Sequence, residues 1–106
     1  MLAVVQSAAQ GIQTGNNLKE GCQFASQGAK TNLEAGKALY CQGFVKGILF
    51  IGRRLNEPES FCPPTGVTVT QAINVFLKYL NENPDKSHQA AEDVTIQAFW
   101  KAWHCK

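Results

Sequence analysis

Apolar residues recur along this chain at intervals of three and four, and strict alternation is scarce. That pattern predicts helices, not strands. A first segment, about residues 2–12, sets Leu2, Val5, Ala9 and Ile12 on one helical face, and the glycines at 11 and 15 break it. Asn16 or Asn17 then caps a second helix that carries Leu18, Cys22 and Ala25 on one side. Residues 28–31 read as a loop. A long central helix is expected over about residues 32–55, with Leu39, Phe44, Ile48, Ile51 and Leu55 as an apolar stripe widened by Tyr40, Val45 and Leu49. A helix apolar over so much of its girth reads as buried. Its glycines, Gly36, Gly43, Gly47 and Gly52, are then expected to let another helix or an aromatic ring come close.

Pro58, Pro63 and Pro64 mark the following loop. Thr68-Val69-Thr70-Gln71 matches a capping box, with Val67 in the staple position, and predicts a third helix. Its core face is Ile73, Phe76, Leu77 and Leu80, with Val75 and Tyr79 off that face. Asn83-Pro84 ends it, because a residue before proline avoids the helical region. Ser87 caps a last helix whose inward residues are Val94, Ala98, Phe99, Ala102 and Trp103. The expected architecture is all-α: one domain over residues 1–106, a small bundle of four or five helices.

The cysteines sharpen that picture. Cys22, Cys41, Cys62 and Cys105 spread over a 106-residue chain, and no two form the close pair of a zinc ribbon or redox motif. An even number at wide spacing in a small domain reads as a disulfide framework and an oxidising compartment. Four cysteines allow three pairings. Cys22 and Cys41 lie across one helical hairpin, while Cys62 precedes the third helix and Cys105 follows the last. The expected bridges are therefore Cys22–Cys41 and Cys62–Cys105. Residues 1–5 lack the basic start of a secretion signal, so export implies a leader removed ahead of Met1; the alternative reading is a cytosolic protein with free thiols.

Charge and length exclude several function classes. The net charge is +2, from 10 basic and 8 acidic residues without a block of one sign, so nothing marks a nucleic-acid partner. No apolar run approaches the roughly 20 residues that span a bilayer, so no membrane insertion is expected. His88 and His104 are the only histidines, and no G-x-S-x-G or comparable nucleophile motif occurs. His104 with Cys105 and His88 could in principle ligate zinc, but a solvated histidine beside a cystine is the simpler reading. No catalytic residue, metal or cofactor is expected. Trp100 and Trp103 diverge on the last helix, one toward the core and one toward its edge.

Taken together, Cys41-Gln42-Gly43-Phe44-Val45-Lys46-Gly47, Phe61-Cys62-Pro63-Pro64-Thr65-Gly66-Val67-Thr68, Gln71, Tyr79-Leu80-Asn81-Glu82-Asn83-Pro84 and the closing aromatic helix resemble the Tai/Rap immunity family of type VI secretion. The likeness covers about residues 16–105. It departs from the family where His104 stands before Cys105 in place of a proline and where Asn83 stands in place of a common histidine. The resemblance implies a periplasmic helical protein that binds and blocks a secreted peptidoglycan amidase toxin, and homodimerisation in some members, for which Val75 and Tyr79 are the candidate contacts.

The shared motifs are structural, so the binding surface must be sought elsewhere. The polar turn after the third helix, stiffened by Pro84, is the leading candidate. Its residues are Asn81, Glu82, Asn83, Asp85 and Lys86, flanked by Lys78 and Tyr79. A stiff protruding turn loses little entropy on entering a cleft. The plainer alternative is a solvated connector, and the next surface is the loop around Pro58. A rival function from another class is a periplasmic acid or stress chaperone of similar fold, against which the weak charge imbalance speaks.

Overall fold

The computed structural model describes residues 13–56 and 58–105, and the segment expected to form the first helix, residues 2–12, lies outside them. Four α-helices form the described chain: α1 Gly15–Gln27, α2 Asn32–Ile51, α3 Val69–Glu82 and α4 Ala91–Trp103. Two single 3-10 turns, Gly52–Arg54 and Pro84–Lys86, extend α2 and follow α3. Among the described residues no strand occurs; two isolated bridges, Thr14 with Ala90 and Phe61 with His104, tie the ends of the bundle together.

Local chemistry explains most of the boundaries. At α3 the Gln71 amide donates to Thr68 Oγ1 at 3.1 Å, and the Thr68 amide donates to Gln71 Oε1 at 2.9 Å. This is the capping box the sequence announces, and each bond satisfies a donor that the helix leaves orphaned. A second box opens α1, where Thr14 is the cap and Asn17 its reciprocal partner. The sequence reading placed the cap one or two residues late, on an asparagine that belongs to the first turn. Thr31 caps α2 through the Glu34 amide.

The start of α4 differs from expectation. Ser87 does not cap it; the Ser87 hydroxyl donates to the Pro84 carbonyl and stays with the turn. The helix begins four residues later at Ala91, and its cap residue, Ala90, supplies no side-chain bond. Instead the Gln13 carbonyl accepts from the Ala91 amide at 2.8 Å. Glu92 and Asp93 in the first turn complement the positive end of the helix.

The core lies where α1, α3 and α4 meet one side of α2. Leu18, Cys22, Cys41, Val45, Phe61, Ile73, Phe76, Leu80, Val94 and Phe99 are buried. Tyr79 is buried with them, so it belongs to the core and not off it, while Ala102, expected inside, is exposed. The Tyr79 hydroxyl lies 3.1 Å from Gln97 Oε1, a hydrogen bond that satisfies its polar tip. Phe61 packs edge-on against Phe99, centroids 5.4 Å apart, and Phe99 meets the half-buried Trp103 at the same separation.

Both expected bridges are present. Cys22–Cys41 joins α1 to α2 with Cα atoms 5.2 Å apart, and Cys62–Cys105 joins the loop before α3 to the end of α4 with Cα atoms 5.0 Å apart. Sequence separations of 19 and 43 residues give, by loop-closure entropy, about 3 and about 4 kcal/mol. The second bridge is reinforced by the backbone, since the Cys62 amide donates to the Trp103 carbonyl at 2.6 Å.

Two expectations about α2 fail together. The helix ends at Ile51, not Leu55, and its buried residues are Ala38, Cys41, Val45 and Ile48. The predicted stripe holds at Ile48, which is buried, and is only partly buried at Phe44 and Leu55, but it runs through Leu39 and Ile51, which are exposed. The disulfide decides the matter: Cys41 must face α1, and residues at i−3, i+4 and i+7 from it follow it inward. Of these four glycines only Gly52, which opens the 3-10 turn after α2, has an aromatic ring close over it, so that an added Cβ would run into the Phe61 ring. Gly36, Gly43 and Gly47 have nothing within 4 Å of a built Cβ, so the expected close approach at Gly47 is absent. Each still gives up about 1 kcal/mol of helix propensity against alanine.

Two outcomes test this account. Gly52→Ala drives a methyl into the Phe61 ring and is expected to lower stability by about 1–3 kcal/mol, measured by urea unfolding; an unchanged midpoint would remove Phe61 from its place on Gly52. Thr68→Ala is expected to cost about 1 kcal/mol in the same assay, and substitution of Ser87 nothing comparable, because Ser87 caps no helix.

Candidate functional site

The turn between α3 and α4 is built from both sides. Asn83 ends α3: its amide donates to the Tyr79 carbonyl, and its side-chain Nδ2 donates to the same carbonyl at 2.9 Å. Pro84 starts the 3-10 turn, closed by the Ser87 amide on the Pro84 carbonyl. The start of α1 then braces it from below. The Asn16 amide donates to the Ser87 carbonyl and the Gly15 amide to the Gln89 carbonyl, both at 2.8 Å. Gly15 lets the chain pass here, with Val94 and Ser87 as near neighbours of the Cβ it lacks.

On this frame Lys78, Asn81, Glu82 and Asp85 are exposed, and Asn83 and Lys86 are half-buried. Tyr79 stands apart, since its ring belongs to the core and faces away from the tip of the turn. Asn83 has a structural task as the helix cap, which leaves Asn81, Glu82 and Asp85 as the exposed polar side chains of the turn.

Tyr79 instead floors a different feature. A shallow cleft of about 770 Å³ runs between α3 and α4, bordered by Ile96, Trp100, Asp93 and Lys101, with Pro58 and Glu59 at its rim. Trp100 is 44% exposed and stacks on His104 at 5.3 Å, while the Lys101 ammonium sits 5.9 Å from the Tyr79 ring centroid. Trp103 turns inward, so the two tryptophans diverge as the helical spacing requires.

An exposed apolar surface on α2 includes Leu39, Tyr40 and Ile51, which the sequence reading had assigned to the core. Leu33, Leu39, Tyr40, Phe50 and Ile51 of α2 are between 41% and 76% exposed. They flank Gly36, Gly43 and Gly47 on the side of the helix opposite Cys41. The signal was present in the sequence: a cysteine committed to α1 fixes which side of α2 faces out. Val75, proposed for a contact between copies, is half-buried and packs against the core, and Tyr79 is buried, so that pair offers no apolar face.

Among the described residues no cluster of three histidines, cysteines or carboxylates that could hold a metal is found. Both histidines are exposed, and all four cysteines are bridged. Among the described residues no helix is long and apolar enough to cross a membrane. What the described residues form is a helical frame stapled by two disulfides, with a polar turn, a cleft and an apolar helix face at its surface.

A family model of Rap1a immunity proteins matches residues 14–105, and the chain belongs to that family. The match begins at Thr14, the cap of α1, and ends at Cys105, so it spans the whole stapled bundle. No curated protein and no solved structure matches the chain.

Replacing Cys62 and Cys105 together by alanine is expected to remove about 4 kcal/mol, read as a lower urea midpoint with helicity retained at low denaturant. A variant as stable as the parent would show that the Phe61–Phe99 contact and the Cys62 amide hold the loop without the bridge.

Proposed function

We propose that this protein is a stoichiometric inhibitor, resident in the periplasm, that protects its cell by occluding the active site of a type VI secreted peptidoglycan amidase. Membership of the Rap1a immunity family supports the class of activity, the binding of a cognate effector. Two disulfides fit an oxidising location outside the cytoplasm. An inhibitor of this kind needs shape and a few anchors, not catalytic groups, and acts without enzymatic activity of its own or a cofactor.

The observation that carries the site is the bracing of the turn after α3. Its backbone is tied to α1 and to the end of α3, while the side chains of Asn81, Glu82 and Asp85 remain free. A segment ordered before binding pays little conformational entropy on entering a cleft. Asn81, Glu82 and Asp85 are the contacts, with Lys78 and Lys86 on the flanks and Asn83 as the support that holds them up. Tyr79 acts from beneath, by fixing α3. Self-association, implied by the family resemblance for some members, completes the reading.

The test is inhibition of a purified amidase effector encoded beside this protein. Glu82→Ala with Asp85→Ala is expected to weaken the complex at least tenfold, about 1.4 kcal/mol, with an unchanged melting temperature. Asn83→Ala is expected to lower stability as well as affinity, since its amide caps α3. Undiminished affinity in the double variant moves the contact to the loop around Pro58. Failure to bind or inhibit any such amidase removes the function itself.

A further inference from the structure

We propose that the cleft between α3 and α4 is a binding site for a neutral saccharide, with one pyranose ring lying flat on the indole of Trp100. The inference goes beyond the inhibitor reading and does not rest on it. The wall of the cleft is a second stripe on α4. Two residues out of step with the buried stripe that begins at Ala91, the helix carries Asp93, Ile96, Gln97, Trp100 and Lys101 along the cleft. An aromatic, an aliphatic, an amide and both signs of charge on one stripe make neither a core face nor a plain solvated one. Tyr79 is the floor, and Pro58 and Glu59 form the facing rim. The volume of about 770 Å³ lies within the roughly 300–1,000 Å³ of small-ligand sites.

Trp100 is the platform. It is 44% exposed, whereas Trp103 on the same helix turns inward. His104 does not line the cleft, and it stacks on the indole with centroids 5.3 Å apart and planes 36° from parallel. The ring is thus backed from outside and open toward the cleft. A backed side chain loses little freedom when a ligand settles on it, and covering it removes apolar surface from water. A pyranose is a suitable cover, because its axial C–H groups make a flat apolar face and its hydroxyls lie around the edge.

The polar groups around the platform select the charge of the ligand. Gln97 is held in place, its Oε1 accepting from the Tyr79 hydroxyl at 3.1 Å and its Nε2 donating to Gln89 Oε1 at 3.2 Å. Each of those atoms keeps the capacity for one further bond. The Lys101 ammonium lies 5.9 Å from the Tyr79 ring centroid, so the chain's own cation already takes the place over the floor. Asp93 and Glu59 are exposed, and among the described residues neither forms an ion pair with Lys101. A cationic ligand meets the Lys101 ammonium, and an anionic one meets two carboxylates. A neutral polyol is opposed by neither and uses both, its hydroxyls donating to Asp93 and Glu59 and accepting from Lys101. Ile96 and Pro58 give apolar ground for the methyl of an acetamido group.

The experiment follows the two indole N–H resonances of the oxidised full chain by NMR as tri-N-acetylchitotriose is added. The Trp100 signal, identified by its loss in Trp100→Phe, is expected to shift at millimolar sugar while the Trp103 signal stays in place. Trp100→Ala is expected to weaken binding roughly tenfold or more, and Glu59→Ala several-fold, with helicity retained because both side chains are exposed. Added salt is expected to leave the affinity unchanged, since screening acts on charged partners and this ligand has no charge. The fully deacetylated trisaccharide, a triamine with the same rings, is expected to bind more weakly. An unmoved Trp100 signal overturns the proposal, as does equal movement of both indoles or an affinity undiminished in Trp100→Ala. Tighter binding of the triamine overturns the choice of a neutral ligand and makes the cleft a cation site. A cleft that binds no sugar, and whose Trp100→Ala variant loses affinity for an amidase, belongs to a protein contact and overturns it equally.

Discussion

The rotation of α2 about its own axis is the constraint on which the rest of the molecule depends, and the Cys22–Cys41 bridge sets it. A helix with apolar residues on nearly every side has no unique buried face by hydrophobicity alone. Tying Cys41 to α1 chooses one. Ala38, Val45 and Ile48 then follow inward, Gly52 comes to lie under Phe61, and Leu39, Tyr40 and Phe50 are left facing out. The close approach of the two helices is visible at Gly21, where an added Cβ would lie 2.5 Å from the Lys37 carbonyl oxygen. A bulkier residue there would push apart the two helices that the bridge joins, so the small residue and the covalent bond act on one crossing.

Much of this was legible in the sequence, for identifiable reasons. α3 carries its own signals, a capping box at Thr68 and Gln71 and a stop at Asn83-Pro84, and its limits follow from a few residues. The pairing of the cysteines follows from which helix ends an antiparallel hairpin brings together. What was not legible depended on groups distant in the chain. α4 starts at Ala91 because Gln13 supplies a carbonyl, and no inspection of residues 87–91 could show that. Tyr79 reads as off-face by spacing alone, yet Gln97 receives its hydroxyl and Lys101 covers its ring, so it buries. The outward face of α2 was missed for the opposite reason: rich apolar content was taken as burial, although the cysteine already fixed the phase. For the candidate site, the polarity of Asn81 to Lys86 was evident, but not the task of Asn83 as a cap or the bracing by α1.

The division of labour within the fold suits a binding module. Disulfides and caps hold the two hairpins, α1 with α2 and α3 with α4, and neither bridge spans both. The two hairpins are joined instead by packing of apolar side chains and by the bonds from residues 13–16 to residues 87–91. The exposed turn sits at that seam, so its position reports on how the hairpins are seated.

That seam has a consequence for the way the chain acquires its structure. α3 closes its first turn with neighbours only a few residues away and can begin as soon as those residues are free of other contacts. α4 has a bare first turn and waits for Gln13, contributed from the far end of the described chain. A contact of such long sequence separation forms late, after shorter loops have closed. The start of α4 is thus fixed by a contact that exists only once distant parts of the chain are seated together, and the final helix becomes a reporter of global, not local, order.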